Sequence, residues 1–192
     1  MSLHKLLVIG AGGFGRSVAE AVEAAGEYAV AGFVDDRWPA LPTIWGIPIV
    51  GPLSALASLH TGVHRAVVAI GDNLARSSAI EQLIAIGFEL VHVIHPRALV
   101  SSRAIIGRGV TVMAGAIVGT EARLDDGVIV NAGAVVDHHC HVGRFAHVGT
   151  AACMAGGAIL GPGAWLKEGC ALSPGQKIEA GQIVSLQNPM RI

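Results

Sequence analysis

An aliphatic residue recurs at every sixth position through the second half of this 192-residue chain. The series has sixteen members and no insertion, and it comprises Ile94, Val100, Ile106, Val112, Val118, Leu124, Val130, Val136, Val142, Val148, Met154, Leu160, Leu166, Leu172, Ile178 and Val184. Because 52% of the residues are hydrophobic, such a series would arise by chance in one register with a probability of about 3 × 10⁻⁵. The chain therefore contains a structural repeat of six residues.

Two other residue types keep the same period. Small side chains precede the aliphatic residue by two positions, at Ala98, Ala104, Val110, Ala116, Ala122, Val128, Ala134, Cys140, Ala146, Ala152, Ala158, Ala164 and Cys170. Glycine follows it by three positions, at Gly109, Gly115, Gly127, Gly133, Gly157, Gly163, Gly169, Gly175 and Gly181. Since glycine adopts positive φ at little steric cost, these positions suit sharp turns. Each hexapeptide thus predicts one short strand, with both marked side chains facing inward, and one turn.

Three such units close a triangular coil of about 18 residues, and stacked coils pair their strands in parallel. Residues 94–192 are therefore predicted to form a left-handed parallel β-helix of the hexapeptide type, with about five coils. Aromatic residues make up only 4% of the chain and glycine contributes 26 residues, which suits a narrow core of small aliphatic groups. Cys140 and Cys170 fall at inward positions, so we expect them to be buried and unreactive.

Composition excludes several classes of function. The 13 basic and 14 acidic residues nearly balance and form no basic block, so we do not expect nucleic-acid binding. No apolar stretch approaches the ~18 residues of a membrane span, and the apolar run near the start is too short for a signal peptide. The three cysteines suggest no disulfide framework. These features predict a soluble, cytoplasmic protein.

Residues 1–93 follow a different pattern, in which predicted strands alternate with helices. Strands are predicted at 6–10, 29–34, 66–70 and 90–94, and helices at about 16–25 and 74–86. This alternation is typical of a small parallel sheet covered by helices. The chain thus divides into a Rossmann-like α/β domain, residues 1–93, and the β-helix domain, residues 94–192.

A glycine motif follows the first predicted strand. Gly10, Gly12 and Gly15 fit G-x-G-x-x-G, and Asp35 lies twenty residues beyond Gly15, as in dinucleotide-binding folds. Arg16 occupies the position of the lysine that a P-loop requires, which excludes that motif. A domain of about 90 residues favours a nucleotide-linked ligand over a complete dinucleotide such as NAD. A glycine turn that only packs the helix on the strand is the other interpretation.

Polar residues also follow two of the predicted strands. Asp35 and Asp36 come directly after strand 29–34, and Asn73 comes shortly after strand 66–70. Because open α/β sheets bind ligands at the carboxyl ends of their strands, these three side chains are candidates for ligand contacts.

Four of the nine histidines, His138, His139, His141 and His147, lie within one stretch of ten residues. None occupies an inward position of the repeat, so we expect them to face outward or toward a neighbouring chain. Histidine can act as a general base toward an amine or a hydroxyl, the role that we favour for His138. Zinc binding is an alternative, but zinc needs three converging ligands and the spacing fits this poorly. A simple surface position is the third interpretation.

The order of motifs along nearly the whole chain resembles the NeuD/PglD-like sugar acyltransferases. These motifs are the glycine loop, Phe33-Val34-Asp35-Asp36, Ile70-Gly71-Asp72-Asn73 with Arg76, His95-Pro96, and the segment from Asn131 to His138. The resemblance implies a homotrimer of left-handed β-helices that binds acetyl-CoA in the cleft between neighbouring helices. It also implies an N-terminal domain that presents a nucleotide-linked sugar and a role in polysaccharide or glycan synthesis. Because the histidine spacing fits zinc poorly, we expect no metal.

The resemblance assigns roles to individual residues as well. It implies that His138 is the catalytic base, which deprotonates the amine or hydroxyl of the sugar, and that His147 contacts acetyl-CoA. The positions implied to bind the substrate are Gly12, Gly13, Phe14, Asp35, Asp36, Asn73 and Asn131.

The sequence departs from this family at three places. His139 occupies the position of an acidic residue that usually follows the base, so either Asp137 or a group elsewhere would have to orient His138. Phe14 replaces a histidine of the glycine loop, and the tail at 187–192 arrives about one coil early. These departures leave open a binding or scaffold protein that has lost catalysis. A γ-carbonic anhydrase-like zinc protein is a further alternative, although the His-x4-His pair of that class is absent.

Overall fold

The computed structural model describes residues 3–186, which begin with an α/β domain. Its elements are β1 (His4–Ile9), α1 (Gly13–Ala25), β2 (Tyr28–Val34), β3 (Thr43–Ile44), β4 (Ile47–Gly51), a 3₁₀ turn (Leu53–Ala55), α2 (Leu56–Leu59), β5 (Arg65–Val68), α3 (Asn73–Ile86) and β6 (Glu89–Leu90). They build a sheet of order β3-β4-β2-β1-β5-β6, in which only the β3–β4 pair is antiparallel. The predicted small parallel sheet is confirmed.

The sequence pattern missed part of this domain and merged two strands. It did not predict the β3–β4 hairpin, in which Pro42 and Pro48 interrupt the apolar alternation that marks a strand. The strand predicted at 90–94 is in fact two strands: β6 closes the α/β sheet, and β7 (Val93–Ile94) begins the β-helix by pairing with the strand at 111–112.

The last four residues of the central strand β1, positions 6–9, are buried on both faces of the sheet. Leu6 and Val8 pack into the core that lies under α1, whereas Leu7 and Ile9 pack into the core that lies under α3. Alternation of side chains across a strand sends neighbours to opposite faces, so a strand covered on both sides is apolar at every position. No helix within residues 3–186 combines the length and the hydropathy that a membrane crossing requires.

The repeat region folds into sixteen two-residue strands in three parallel sheets, which we term the first, second and third faces. The first face contains β7 (Val93–Ile94), β10 (Thr111–Val112), β13 (Ile129–Val130), β16 (His147–Val148), β19 (Trp165–Leu166) and β22 (Ile183–Val184). The second contains β8 (Leu99–Val100), β11 (Ile117–Val118), β14 (Val135–Val136), β17 (Cys153–Met154) and β20 (Ala171–Leu172). The third contains β9 (Ile105–Ile106), β12 (Arg123–Leu124), β15 (His141–Val142), β18 (Ile159–Leu160) and β21 (Lys177–Ile178).

In every strand of the β-helix, the second residue belongs to the aliphatic series. These aliphatic residues and the small residues that precede them by two positions form one continuous core. Cys140 and Cys170 are buried in this core, as predicted. Residues 18 apart lie directly above one another in successive coils, because each strand pairs with the strand one coil away. The parallel β-helix predicted from the period is therefore confirmed.

The corners of the β-helix explain the glycine period. All nine glycines that follow the aliphatic residue by three positions have φ between 63° and 71°. At four equivalent corners a residue other than glycine adopts the same left-handed conformation: Glu121, His139, Phe145 and Ala151, with φ of 55° to 58°. Such a conformation costs an L-residue about 1–2 kcal/mol. Glycine would fit these four corners without strain, yet each of them carries a larger residue.

Candidate functional site

His138 lies at a corner between the second and third faces, just after β14. Its backbone N–H donates a 2.6 Å hydrogen bond to Asp137 Oδ1, and 56% of its side chain is exposed. The imidazole extends over Gly156, the residue one coil above, where an added Cβ would lie 2.5 Å from His138 Nε2. The ring therefore occupies space that exists only because residue 156 is glycine.

His139 and Glu121 complete this corner. His138 Nδ1 lies 2.9 Å from His139 Nδ1, and the two rings meet edge to face with their centroids 5.1 Å apart. His139 Nε2 lies 2.9 Å from Glu121 Oε2, which belongs to the same corner one coil below. Asp137 Oδ2 is 3.9 Å from His138 Nε2, which exceeds hydrogen-bond distance. Of the two acidic groups near this corner, only Glu121 is joined by hydrogen bonds to the imidazole pair.

His141 has a separate environment on the third face. Its Nε2 lies 2.9 Å from Asp125 Oδ2, and the other carboxylate oxygen accepts a 2.8 Å hydrogen bond from Arg123. Partial burial alone would raise the pKa of Asp125, but the hydrogen bonds from Arg123 and His141 hold it below its usual value. His141 thus belongs to a surface ion-pair group apart from the His138 corner.

His147 was expected to face outward or toward a neighbouring chain, and it does take the outward position of β16. It points away from the β-helix core but is 95% buried beneath the α/β domain of its own chain. Its Nδ1 lies 3.3 Å from the Gly71 carbonyl, its ring stacks on Trp165 at 4.7 Å, and the Phe14 ring lies 6.5 Å away. Burial, aided by the charge of Arg76, lowers the pKa of His147 to about 4. The ring is therefore neutral at neutral pH.

The neutral tautomer of His147 follows from its partner. Because a carbonyl only accepts hydrogen bonds, Nδ1 carries the proton and Nε2 presents a lone pair. Within the described residues His147 Nε2 and the neighbouring Trp165 Nε1 are both buried without a hydrogen-bond partner. This arrangement places an unpaired acceptor beside an unpaired donor.

Trp165 was not identified from the sequence. It occupies the outward position of β19 directly above His147, and Lys167 Nζ lies 3.1 Å from the centroid of its indole ring. The available signal was the 18-residue spacing between His147 and Trp165, which places the two side chains on the same face in successive coils.

The glycine loop connects β1 to the N-terminus of α1. An added Cβ at Gly12 or Gly13 would meet nothing within 4 Å, so this segment is open, whereas a Cβ at Gly15 would collide with the Gly10 carbonyl. The first backbone N–H groups of a helix have no partner within the helix and carry positive potential. The loop therefore presents a surface suited to an anionic group.

Asp35 supports the loop, and both of its carboxylate oxygens have hydrogen-bond partners within the chain. Oδ2 accepts a 2.8 Å hydrogen bond from the Ala11 N–H, and Arg37 binds both carboxylate oxygens at 2.7 and 2.9 Å. The Arg37 hydrogen bond, with help from Ala11, lowers the pKa of Asp35 to about 2 despite partial burial. Asp36 accepts a 2.9 Å hydrogen bond from the Leu53 N–H. Both aspartates also line a cavity at the carboxyl ends of β1 and β2.

Asn73 and Arg76 join the two domains. Asn73 Nδ2 donates to the Gly163 carbonyl at 2.8 Å, and Asn73 Oδ1 accepts from Arg76 at 2.7 Å. Arg76 is fully buried and donates to the carbonyls of Gly127 and Phe145 at 2.9 and 2.6 Å. Burial lowers the pKa of Arg76 to about 10, so it remains charged at neutral pH. Asn73, a candidate for substrate binding, thus has its amide engaged at the domain junction.

The carbonyls that Asn73 and Arg76 bind lie along one edge of the β-helix. Gly127, Phe145 and Gly163 are spaced by 18 residues and occupy the same corner in three successive coils. The docking of the α/β domain is therefore fixed by backbone groups that only the coil geometry brings into line.

Asn131, Phe14 and Asp137 each have a defined neighbour in the structure. Asn131 is partly buried, and its Oδ1 accepts a 2.8 Å hydrogen bond from the Ala132 N–H. The structure brings Phe14 to His147 and groups Asp137 with the His138 corner, but no contact among residues 3–186 joins His138 to His147. In the same described part of the chain, no three His, Cys, Asp or Glu side chains are placed to hold a metal ion. The tail at 187–192 lies outside the described residues.

Comparison with known proteins agrees with this architecture. Residues 5–83 match the model of the PglD N-terminal domain. The whole chain superimposes on the acetyltransferase domain of PglB from Neisseria gonorrhoeae FA1090, solved with acetyl coenzyme A, with 35% identity, full coverage of both chains and a TM-score of 0.85. It also superimposes on PerB from Caulobacter crescentus, solved with CoA and GDP-perosamine, with 36% identity, coverage of 100% of this chain and 93% of that chain, and a TM-score of 0.78.

A curated relative is the UDP-N-acetylbacillosamine N-acetyltransferase of Bacillus subtilis (strain 168), with 29% identity over 116 residues. That match covers 58% of this chain and 52% of the relative, so the chain spans about half the length of the curated relative. A Rossmann-like domain docked on a left-handed parallel β-helix defines a two-domain hexapeptide-repeat protein. Within that class, the chain belongs to the PglD/NeuD-like sugar acetyltransferase family.

Proposed function

We propose that this protein transfers the acetyl group of acetyl-CoA to an amine or hydroxyl of a nucleotide-linked sugar. The observation that carries the proposal is the His138 imidazole, which has one ring nitrogen hydrogen-bonded and Nε2 open at an exposed corner. Relatives support the substrate classes, because PglB was solved with acetyl coenzyme A and PerB with CoA and GDP-perosamine.

The reaction needs a base and an oriented acceptor but no covalent enzyme intermediate. His138 Nε2 removes a proton from the sugar amine or hydroxyl while that group attacks the thioester carbonyl. The tetrahedral intermediate then expels the CoA thiolate, which receives the proton from His138. Cys140 and Cys170 are buried in the β-helix core, where a raised pKa, caused by burial, disfavours their thiolates. They are therefore not nucleophiles in this scheme.

The unpaired atoms of His147 and Trp165 support acetyl-CoA binding on the first face. An amide offers both an N–H donor and a carbonyl acceptor, and the pantetheine arm of CoA contains amides. If the groups that cover these two buried atoms move aside when the cosubstrate binds, His147 Nε2 would accept from such an N–H and Trp165 Nε1 would donate to the carbonyl. Because buried polar groups are nearly always paired, two adjacent unpaired groups of opposite character favour a polar ligand at this position.

The α/β domain would hold the nucleotide part of the sugar substrate. The loop at Gly12 and Gly13 presents backbone N–H groups to a diphosphate at the N-terminus of α1. The adjoining cavity is lined by Asp36, Leu53 and Ser78, among others, and would accept the sugar or the nucleoside. Asp35 would contribute indirectly by holding the loop through the Ala11 N–H.

A homotrimer would bring the two halves of the site together. The outward positions of the second face are apolar in all five coils, and these residues are Leu99, Ile117, Val135, Cys153 and Ala171. His138 lies two residues after the end of β14 of this face, so it would lie at the edge of an interface between subunits. In that assembly His138 of one chain would approach the acetyl-CoA bound against the first face of its neighbour.

All three cysteines are free, as expected for the reducing cytoplasm in which we place this enzyme.

The decisive experiment measures CoA thiol release with a panel of UDP-, GDP- and dTDP-linked amino sugars. His138→Ala should lower kcat by about 10²- to 10⁴-fold, the usual contribution of a general base. His141→Ala is the matched control, since it removes another outward imidazole of the β-helix, one that is paired with Asp125, and should leave kcat within about twofold of wild type. Full activity of His138→Ala would refute the assignment of the base. Absence of both turnover and acetyl-CoA binding would favour a binding or scaffold protein.

A further inference from the structure

Two residues of the His138 corner adopt a conformation that disfavours their side chains. Glu121 and His139 have φ of 57° and 58°, and they occupy the same corner in successive coils. At the next two coils this position is glycine, at Gly157 and Gly175. A strained residue that persists where glycine is the local alternative is often functional. Within this corner, the two strained residues are therefore the same two whose side chains are hydrogen-bonded in series to His138.

The direction of these hydrogen bonds is determined by their chemistry. A carboxylate only accepts, so the proton between Glu121 and His139 resides on His139 Nε2. A neutral imidazole has a single N–H, which leaves His139 Nδ1 as an acceptor. His138 Nδ1 must then donate across the 2.9 Å contact, and His138 Nε2 keeps its lone pair. One carboxylate thus sets the tautomers of both rings.

We propose that Glu121 is a positioning residue that acts through His139 to keep His138 Nε2 unprotonated and open toward the substrate. This inference rests on the proposed acetyl transfer. When His138 Nε2 takes the proton of the attacking amine or hydroxyl, the imidazolium keeps its hydrogen bond to His139 Nδ1, and the Glu121 charge stabilises it through the intervening ring. No proton moves along the chain, and the proton on Nε2 passes to the departing CoA thiolate. The Glu121–His139 pair thereby replaces a single acidic residue beside the base.

Glu121→Gln tests this inference with almost no change of shape. An amide can accept or donate, so it permits the reversed chain in which His139 Nδ1 donates and His138 Nε2 becomes protonated. We expect kcat to fall by about 10- to 100-fold, a part of what a general base contributes, while KM for both substrates stays within about twofold. Glu89→Gln is the matched control: both glutamates are 57% exposed, and Glu89 is paired with Arg65 at the edge of the α/β sheet.

A rescue variant separates positioning from structural damage. His139→Glu places a carboxylate directly beside His138, so Glu121 is no longer needed. The double variant H139E/E121Q should therefore recover kcat to within about threefold of wild type, although E121Q alone is impaired. Glu121→Gly removes the carboxylate but restores the residue that suits this corner, so it should fold stably and lose the same activity as E121Q.

The tautomers provide a readout that does not depend on turnover. Ring ¹⁵N shifts of the protein, recorded above the ordinary histidine pKa of about 6.5, distinguish protonated from unprotonated nitrogens. Wild type should show His138 protonated at Nδ1 and His139 at Nε2, and E121Q should lose this preference. If wild type shows this pattern without any acetyl transfer, the proposed function fails while the hydrogen-bond chain stands. Unchanged tautomers, or a kcat within twofold of wild type in E121Q, would overturn the role of Glu121.

Discussion

Gly156→Ala is the substitution that most directly tests the position of the proposed base. The added Cβ would lie 2.5 Å from His138 Nε2 and 3.1 Å from Nδ1, whereas non-bonded heavy atoms rest at about 3.5–4.0 Å. The ring must therefore retreat by about 1 Å or rotate away. Since Nε2 is the atom proposed to take the proton, and a displacement of about 1 Å can reduce a rate 10²-fold, we expect kcat to fall by about 10²-fold.

Folding should tolerate this substitution. Gly156 does not have positive φ, and the clash falls on an exposed side chain, which can swing aside at little cost. We therefore expect the free energy of unfolding to change by no more than about 0.5–1 kcal/mol, measured by denaturant titration. Acetyl-CoA affinity, measured by calorimetry, should be unchanged because the proposed binding groups lie on the first face.

A second glycine provides the control. Gly62→Ala introduces a Cβ whose nearest contact would be 4.0 Å away, in a loop of the α/β domain far from His138 in the fold. Its kcat should equal that of wild type. A Gly156→Ala protein that folds normally and keeps its kcat within threefold of wild type would refute the reasoning, because His138 could not then be the base in the observed position.

Three other outcomes follow from the structure. Trp165→Phe removes the unpaired Nε1–H and should raise KM for acetyl-CoA by about 3- to 10-fold at nearly constant kcat. Steady-state kinetics measures both constants, and an unchanged KM would exclude this contact. Because the pKa of Asp35 is lowered from 3.8 to about 2, its interactions with Arg37 stabilise the fold fully above pH 4 and vanish as pH falls through 2. Asp35→Asn should therefore be less stable than wild type at pH 7 in urea titrations, and this difference should shrink toward pH 2. A difference that is constant with pH would contradict the ionic origin. Ile117→Asp places a charge on the apolar second face, so it should disrupt the proposed trimer, yield monomers in light scattering and expose Cys153 to thiol reagents. A trimer that persists in this variant would show that the second face is not the interface.

The repeat was predictable because its information is local and periodic. An aliphatic residue every six positions and a small residue two positions before it are sufficient to define an inward-facing pair, whatever the distant parts of the chain do. The glycine corners followed from the same period. The hydrogen-bonded pair of Glu121 and His139 was also within reach, since an 18-residue separation means direct stacking in successive coils.

The surroundings of the predicted site residues could not be predicted from a local or periodic sequence pattern. Phe14, Asn73 and His147 all lie at the junction between the domains, where two non-periodic surfaces meet. The amide of Asn73, which the sequence predicts to bind the substrate, is bound to the β-helix backbone and to Arg76. The outward register of His147 was predicted correctly, yet the docked α/β domain buries it.

The sequence alone determined the two folds and the identity of the exposed histidine corner, because strand periodicity and glycine turns depend on residues close in the chain or a fixed number of residues apart. Only the tertiary structure decided which polar groups remain available for chemistry. Arg76 and Asn73 are occupied by carbonyls that line up only after three coils have stacked, while His147 Nε2 and Trp165 Nε1 are left unpaired by the same docking. Hydrogen-bond satisfaction depends on long-range contacts between the domains, and such contacts have no period that a sequence can display.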